Sequence, residues 1–451
     1  MVILNTDDTI VARATPPGRG GIGIVRVSGT AVPAIAQQLL GFTPKPRHAT
    51  YAEFGGAGDA TIDTGIALYF PAPESFTGED VLELQGHGSP VVIEMLVEKI
   101  CLLGARLAQP GEFSRRAFLN DKMDLTQAEA IADLIDSASQ TAARAARRSM
   151  QGQFSKLVLA LNEAVTTLRV HVEAAMDFPE EEIDFLSDAA LLQRLEDVHV
   201  QFSTVEHTVR QGCLLRDGVT VVLAGRPNAG KSSLLNALAG YDAAIVTEIP
   251  GTTRDLVREQ IEIDGLPVRI IDTAGLRQAG DAIEAEGVRR THRELANADH
   301  ALIIVDSTST DESQLDALLN ELPAGLPYTV VRNKIDLSKE MPGVAADLKD
   351  TVRISALNGA GVDELRKHLE SSLGYQPAAE GSITARRRHL ESLRRAQEHF
   401  DEARRVLSEQ SAGELMAEEL LQVQNALAEI TGQFSSDDLL GRIFESFCIG
   451  K

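Results

Sequence analysis

Eight residues near the middle of the chain, Gly225-Arg226-Pro227-Asn228-Ala229-Gly230-Lys231-Ser232, read G-x-x-x-x-G-K-S. This is the pattern of a loop that wraps a phosphate chain. Gly225 and Gly230 permit the tight wrap, Lys231 is placed to reach the β- and γ-phosphates, and Ser232 offers a hydroxyl to Mg²⁺. Asp272-Thr273-Ala274-Gly275 adds an acid able to hold Mg²⁺ through water and a glycine N–H able to sense a γ-phosphate. Asn333-Lys334-Ile335-Asp336 addresses the base. A carboxylate accepts two hydrogen bonds from the N1–H and N2–H₂ edge of guanine. Adenine presents an acceptor there and no second donor, so a buried carboxylate rejects it by roughly 10⁴-fold. Gly251-Thr252-Thr253-Arg254-Asp255 and Ser355-Ala356-Leu357 complete five motifs in order.

These groups need a sheet to hold them. Val219 to Ala224 is an apolar run that reads as a buried strand, and Ser233 to Ala239 reads as the start of a helix. A strand feeding a glycine loop into a helix N-terminus aims backbone N–H groups and the positive end of the helix dipole at a phosphate. Val268 to Ile271 is a strand ending at Asp272. Leu256 to Ile263, Asp264-Gly265 and Val268 onward predict a hairpin with a type I′ turn. Val330 to Arg332 and Val352 to Ile354 are strands that deliver the last two motifs. This part resembles a translation-factor-class GTPase.

Two departures from the Ras pattern bear on hydrolysis. Leu276 follows Gly275, where Ras-like proteins carry the glutamine that positions water. Glu284 reads either as an ordinary exposed acid or as its replacement. No arginine finger is evident. Asn228 offers a hard oxygen beside the β–γ bridge. With carbonyls of the 247–252 loop it suits a K⁺ in the charge role that an arginine plays, worth about 10³–10⁵ in rate.

Around this centre, the 451 residues suffice for two to four domains, and 43% hydrophobic content allows a large core. A net charge of −23 argues against non-specific binding to nucleic acid or lipid, though not against a local basic patch. Cys101, Cys213 and Cys448 are far apart and odd in number, which excludes a disulfide framework or clustered zinc site and fits a reducing cytosol. No signal peptide and no 18-residue apolar run is found.

Residues 1–120 read as an α+β domain, with strands at Thr9–Ala14, Ile22–Val27, Ile66–Phe70 and Val81–Leu84 and a helix at Val91–Leu103. Gly18-x-Gly20-x-x-Gly23 matches a dinucleotide fingerprint only formally, because Ile24 to Val27 continues as strand where that fingerprint needs a helix. From Thr126 the text is helical. Thr126-Gln127-Ala128-Glu129 reads as a capping box, with helix to about Gln151, then Phe154–Met176 and Leu191–Leu215. Arg144, Arg147 and Arg148 share a helix face that is either a basic patch or a solvated face paired with acids. The expected architecture is a multidomain α/β protein: a domain at 1–120, a discontinuous helical domain built from 121–216 and 377–451, and a Ras-like P-loop domain at 217–376 inserted into it.

End to end, the chain resembles the MnmE (TrmE) family of tRNA modification GTPases, within the wider TrmE-Era-EngA-like GTPases. The likeness rests on Pro16-Pro17-Gly18-Arg19-Gly20, Phe76-Thr77-Gly78-Glu79-Asp80, Gly111-Glu112-Phe113-Ser114-Arg115-Arg116-Ala117-Phe118, the inserted domain and the terminal Cys448-Ile449-Gly450-Lys451. The resemblance implies that the first domain is similar to folate-binding domains and makes a constitutive homodimer. Its ligand would be 5-formyl- or 5,10-methylene-tetrahydrofolate, held by Arg26, Glu83, Lys122 and Lys451. It implies GTP/GDP contacts from Asn228, Ala229, Gly230, Lys231, Ser232 and Ser233; from Thr247, Glu248, Ile249, Pro250, Gly251, Thr252 and Thr253; from Asp272, Thr273, Ala274 and Gly275; and from Asn333, Lys334, Asp336, Ser355, Ala356 and Leu357. It implies Mg²⁺ on Ser232 and Thr253, K⁺ on Asn228, Thr247, Ile249 and Thr252, and catalysis by Lys231 and Glu284. Finally, it implies a cytoplasmic protein that works on tRNA, away from membranes, in a heterotetramer with an MnmG-like FAD protein. The group installed is of the aminomethyl or carboxymethylaminomethyl type, at C5 of the wobble uridine. Cys448 is left with two roles, a nucleophile or carrier for the one-carbon unit, or a small buried residue ordering the C-terminus. The competing class is a regulatory G-protein switch without modification chemistry, which would need neither residues 1–120 nor the terminal tetrapeptide.

Overall fold

The structure is a computed structural model of the chain. It describes residues 8–56, 60–177, 189–239, 258–272, 298–308, 313–320, 322–323, 325–376, 381–410, 412–433, 437–445, 447 and 450. They form two compact units, residues 1–132 with 425–451, and residues 133–424.

The first unit is built on six strands: β1 (Ile10–Arg13), β2 (Gly20–Ser28), β3 (Thr50–Phe54), β4 (Asp63–Phe70), β5 (Val81–Gly88) and β6 (Arg106–Leu107), in the order β3-β4-β5-β2-β1-β6. Neighbours are antiparallel except β1 and β6. Side chains alternate across a strand, so Val25, Val27, Ala67, Tyr69, Leu82 and Leu84 form one apolar face. It is covered by Ile35 and Leu39 of α1 (Val32–Leu40) and by Ile93, Leu96 and Ile100 of α2 (Pro90–Leu102). As expected, Ile24 to Val27 continue as strand, but β2 begins two residues earlier than expected, at Gly20, with a shift of register between Gly20 and Gly23.

The two quoted stretches 76–80 and 111–118 meet through charge. Arg116 on α3 (Glu112–Leu119) is 3% exposed and pairs with Glu79, Asp8 and Glu112, and Arg106 shares the last two. Burial pushes the Glu112 carboxyl up, but bonds from Arg106, the Gln109 N–H and Arg116 outweigh it and hold it below its usual range. A buried arginine is tolerable only when so paired. The helix Asp437–Glu445 belongs here too: Leu440, Ile443, Phe444 and Phe447 pack on Leu125, Ala128 and Ala132 of α4 (Leu125–Ile135). The capping box of α4 lies two residues earlier than the sequence reading placed it. Asp124 Oδ1 accepts from the Gln127 N–H at 3.0 Å, and Gln127 Oε1 accepts from the Asp124 N–H at 3.0 Å. A D-x-x-Q pair makes the same reciprocal bonds as the T-x-x-E pair that was expected.

The second unit opens with α5 (Gln140–Met150), α6 (Gln153–Asp177) and α7 (Ala189–Asp217). The helical text to Gln151 is broken at 136–139, where Ser139 Oγ accepts from the Ala142 N–H and starts α5. Next come β7 (Val219–Gly225), α8 (Lys231–Ala239), β8 (Arg258–Ile263), β9 (Leu266–Asp272), β10 (His300–Asp306), α9 (Ser313–Asn320), β11 (Tyr328–Asn333), α10 (Ile335–Ser338), β12 (Gly343–Val344), β13 (Thr351–Arg353) and α11 (Val362–Ser372). The sheet order is β12-β13-β11-β10-β7-β9-β8, parallel from β13 to β9 with antiparallel edges. This is a Ras-like G domain. The β8–β9 turn has both central residues at positive φ, Asp264 at 48° and Gly265 at 93°, as type I′ requires.

That turn is held by helices of the same unit. Ser139 Oγ donates to Gly265 O at 3.0 Å and Tyr375 OH donates to Asp264 O at 3.0 Å. Burial and the neighbouring Asp264 push the Glu370 carboxyl up to about 7. Asp133 accepts from Arg216, at the end of α7, and from Arg386, before α12 (Arg387–Gln410). The chain thus enters and leaves the G-domain segment at points tied to one carboxylate. Arg144 and Arg147 are exposed, whereas Arg148 donates to Ser382 O. Along α12, Arg394, Arg404 and Arg405 pair with Glu398, Glu196, and Glu402 with Glu409. Among the described residues no helix is long and apolar enough to cross a membrane.

Candidate functional site

The parallel strands β7, β10 and β11 deliver the G-domain groups to one edge of the sheet. Beyond β7, Asn228 stands at φ 64° and Gly230 at φ 95°, so the loop turns sharply before α8 begins at Lys231. A Cβ built on Gly230 would collide with Asn333 Nδ2, so glycine is required there by contact as well as by backbone angle. Lys231 is 7% exposed, and its Nζ donates to Gly225 O at 2.9 Å and Arg226 O at 3.1 Å. The ammonium is thereby held against the loop that carries it. Asn228, Ser232 and Ser233 are exposed at the open side of the loop, which suits hard oxygens that must reach a cation or a phosphate.

Asn333 ties this loop to the base-reading segments. It is 2% exposed. Its Nδ2 donates to Ala229 O at 3.0 Å, and its Oδ1 accepts from the Lys334 N–H at 2.8 Å and the Ala356 N–H at 3.0 Å. Lys334 takes a left-handed backbone, φ 68°, and its Nζ pairs with Asp306 Oδ2 at 2.6 Å. Burial pushes the Asp306 carboxyl up, but the bonds from Lys334 and Thr308 outweigh it and leave it below its usual range. Asp336 Oδ1 accepts from Ser355 Oγ at 2.6 Å, which turns the acid toward the Ser355-Ala356-Leu357 segment. Leu357 is exposed at the rim. The sequence reading missed Asp306 at the end of β10. Its signal was an acid closing an apolar strand, as Asp272 closes β9. Thr247, Glu248, Ile249, Pro250, Gly251, Thr252, Thr253, Thr273, Ala274, Gly275 and Glu284 lie outside the described residues; Asp272 closes β9 through its backbone.

In the first unit, Arg26 on β2 and Glu83 on β5 are cross-strand partners, paired at 2.8 Å. Arg26 Nη1 also donates to Gly450 O at 3.4 Å, joining residues 424 positions apart. The Arg26 guanidinium lies 5.6 Å from the Phe76 ring and 5.8 Å from the Phe113 ring, which keeps the charge on an aromatic seat. Lys122 is exposed, with its Cε 3.2 Å from where a Cβ on Gly78 would stand. Cys448 and Lys451 lie outside the described residues. Among the described residues there is no cluster of three or more His, Cys, Asp or Glu side chains suited to a metal ion.

A P-loop at a strand-to-helix turn, tied by a buried asparagine to an acid-bearing base segment, defines a guanine-nucleotide-binding G domain, here with a separate α+β unit. Comparison with known proteins narrows the class. The profile of the GTP-binding protein TrmE N-terminus matches residues 9–122 and that of the MnmE helical domain residues 125–448. The tRNA modification GTPases MnmE of Yersinia pestis bv. Antiqua (strain Angola) and Erwinia tasmaniensis are each 57% identical over 454 residues, covering 99% of this chain and all of each relative. The chain belongs to the MnmE family of tRNA modification GTPases, and it is a GTP hydrolase that acts in tRNA modification. Among solved structures, the FeoB G-domain from Methanococcus jannaschii is 25% identical, covering 35% of this chain and 97% of that one, with a TM-score of 0.25. Era of Aquifex aeolicus bound to GDP.AlF4- is 28% identical, covering 40% and 67%, with a TM-score of 0.26.

Proposed function

We propose that this chain is a K⁺-dependent GTPase of the cytoplasm. With an FAD-containing partner of the MnmG kind, it installs an aminomethyl-type group at C5 of the wobble uridine of tRNA, taking the carbon from a reduced folate. The protein works as a homodimer through residues 1–120, with 121–216 and 377–451 as its helical domain and 217–376 as the G domain. Ser232 and Thr253 hold Mg²⁺, which neutralises phosphate charge. Asn228, Thr247, Ile249 and Thr252 hold K⁺ in the place of an arginine finger. Lys231 holds the β- and γ-phosphates, Glu284 orients the attacking water, and Asp336 reads guanine. The exposed oxygens of Asn228 and Ser232 beside a tethered Lys231 suit those ions.

The observation that carries the folate half is the bond from Arg26 to Gly450, because it brings the C-terminal stretch to the Arg26–Glu83 pair. Arg26 and Glu83, paired at 2.8 Å, face one end of such a ligand, where the acid suits the adjacent pterin N–H donors, and the two tail carboxylates are left to cations such as Lys122 and Lys451. Charge-assisted bonds of this kind contribute about 1.5–3 kcal/mol each. Calorimetry with 5-formyltetrahydrofolate on the full chain, on Arg26→Ala and on a chain lacking 448–451 tests it. The full chain should bind, and each variant should bind at least about tenfold more weakly, with GTP hydrolysis in K⁺ retained by the truncated chain. Equal binding by all three, or by none, removes the folate and favours a regulatory G-protein switch.

A further inference from the structure

The chain carries 66 acidic residues against 43 basic ones. Residues 137–162 nevertheless contain no Asp or Glu, and they hold Arg144, Arg147, Arg148 and Lys156. They form α5 and the start of α6. On α5, Ala142, Ala145, Ala146 and Ser149 are buried. Gln140, Arg144 and Arg147 are exposed, as is Gln151 just beyond the helix. Steps of four, three and four residues put these side chains on one stripe. At the usual rise of a helix it is about 16 Å long. Every member is a hydrogen-bond donor, and the two arginines stay charged at any working pH.

A second acid-free stretch, residues 381–390, carries Arg386, Arg387 and Arg388 and meets the last turn of α5. Arg148 donates to Ser382 O at 3.1 Å. Ser149 Oγ donates to Thr384 O at 3.1 Å and accepts from the Thr384 N–H at 3.0 Å. Arg386 is occupied by Asp133 at 2.8 Å. Arg387 opens α12 three residues after Thr384, so its Cα lies within about 10 Å of that contact. Its side chain is 79% exposed, with Asp217 no nearer than 3.8 Å.

The later arginines of α12 show what an ordinary solvated face looks like. Arg394, Arg404 and Arg405 each meet a glutamate. Among the described residues, by contrast, neither Arg144, Arg147 nor Lys156 has an ion-pair partner. A helix C-terminus favours cations in its last turn. That accounts for Arg147 and Arg148 but leaves Arg144, in the second turn of α5, unexplained. Unpaired cations on a chain of net charge −23 make a local positive field against the general one.

We propose that the exposed stripe of α5, with Arg387 near its C-terminal end, is a docking surface for the phosphate backbone of tRNA. The chemistry selects the partner. A protein that acts on tRNA must hold a polyanion, and a guanidinium matches a phosphate with two parallel N–H bonds. The flanking Gln140 and Gln151 amides suit phosphate oxygens and ribose 2′-hydroxyls. Contacts of this kind fix where the RNA lies and do not read its sequence. The inference needs a tRNA substrate, but neither the folate nor the wobble position.

The test is fluorescence anisotropy of labelled tRNA with the full chain, titrated at salt concentrations from about 50 to 200 mM. Arg144→Gln combined with Arg147→Gln removes two charges and keeps good helix formers. Affinity at low salt should fall at least about tenfold. The slope of log K against log salt should become shallower by about 2, one for each lost phosphate contact. The loss should be the same for different tRNAs, and GTP turnover in K⁺ should be unchanged. Arg394→Gln combined with Arg405→Gln makes the same change in net charge from paired positions, and should leave affinity and slope close to the parent's. Equal effects of the two double variants overturn the proposal, because net charge and not contact would then be responsible. An unchanged slope in the α5 variant also overturns it, as does weaker binding to another protein at unchanged tRNA affinity. Salt-independent binding or no binding of tRNA by the parent overturns it too, whatever the folate calorimetry shows.

Discussion

Replacing Asn333 by alanine should weaken both the G domain and its hold on nucleotide. The side chain is buried and makes three hydrogen bonds, to Ala229 O, Lys334 N and Ala356 N. Each such bond contributes about 1 kcal/mol net, and a buried group left unpaired costs about 1–3 kcal/mol. The Lys334 and Ala356 amides lie in half-buried surroundings, where water offsets part of their loss, whereas Ala229 is 4% exposed. The sum is about 2–4 kcal/mol. In a domain of this size, each kcal/mol lowers Tm by about 2–4 °C. Differential scanning calorimetry without nucleotide should therefore show the G-domain transition lowered by about 5–15 °C. The same bonds tie the phosphate loop to the base segment, so the affinity for a fluorescent GDP analogue should fall at least about tenfold. Asn333→Asp keeps both acceptor bonds but sets a buried carboxylate oxygen against Ala229 O, so its losses should be at least as large. A Tm within about 2 °C of the parent, together with unchanged GDP affinity, would refute the reasoning that Asn333 is the tie between the two halves of the site.

Other residues carry equally direct tests. Asp336→Asn should weaken GTP and favour xanthosine triphosphate, whose C2 oxygen suits an amide donor; unchanged GTP affinity contradicts the assignment of the base reader. Glu284→Ala should lower kcat by about 10² or more with GTP affinity intact, the signature of a group that acts only in the transition state, and a near-normal kcat returns it to an ordinary exposed acid. His300 is 2% exposed, and burial pushes its imidazole down to about 4. The unfolded chain therefore takes up a proton that the folded chain refuses. Stability should be lost as pH falls from about 6.5 toward 4, by up to about 3 kcal/mol. In thermal melts the gap between the parent and His300→Gln should accordingly narrow on acidification, and a constant gap contradicts it.

The nucleotide site was largely legible because its chemistry is local in sequence. The strand before Gly225, the hairpin at Asp264-Gly265 and the Asn333-Lys334-x-Asp336 tetrad each declare themselves within a dozen residues, and the sheet sets the hairpin beside β7, with β11 on the far side of β10. What stayed hidden depends on register or long-range closure. Asp63 and His87 lie 24 residues apart and meet only because β4 and β5 pair as they do. Arg116 has Glu112 as its one charged partner within its own stretch, and Asp8 and Glu79 reach it only through the fold. The capping box of α4 slipped by two residues because Asp124 and Thr126 are both good caps, and only the bond to Gln127 chooses between them.

In the function proposed above, K⁺-dependent hydrolysis drives the placement of a folate-derived carbon on tRNA. The most direct measurement supplies 5,10-methylene-tetrahydrofolate labelled with ¹³C at the one-carbon unit to the full chain, the proposed FAD-containing partner of the MnmG kind, tRNA and GTP. Mass spectrometry of the wobble nucleoside then reads the product, in KCl and in NaCl. The account predicts labelled carbon at C5 of the wobble uridine in KCl, and neither label nor appreciable GTP turnover in NaCl. Unlabelled modification, or equal turnover in the two salts, contradicts it.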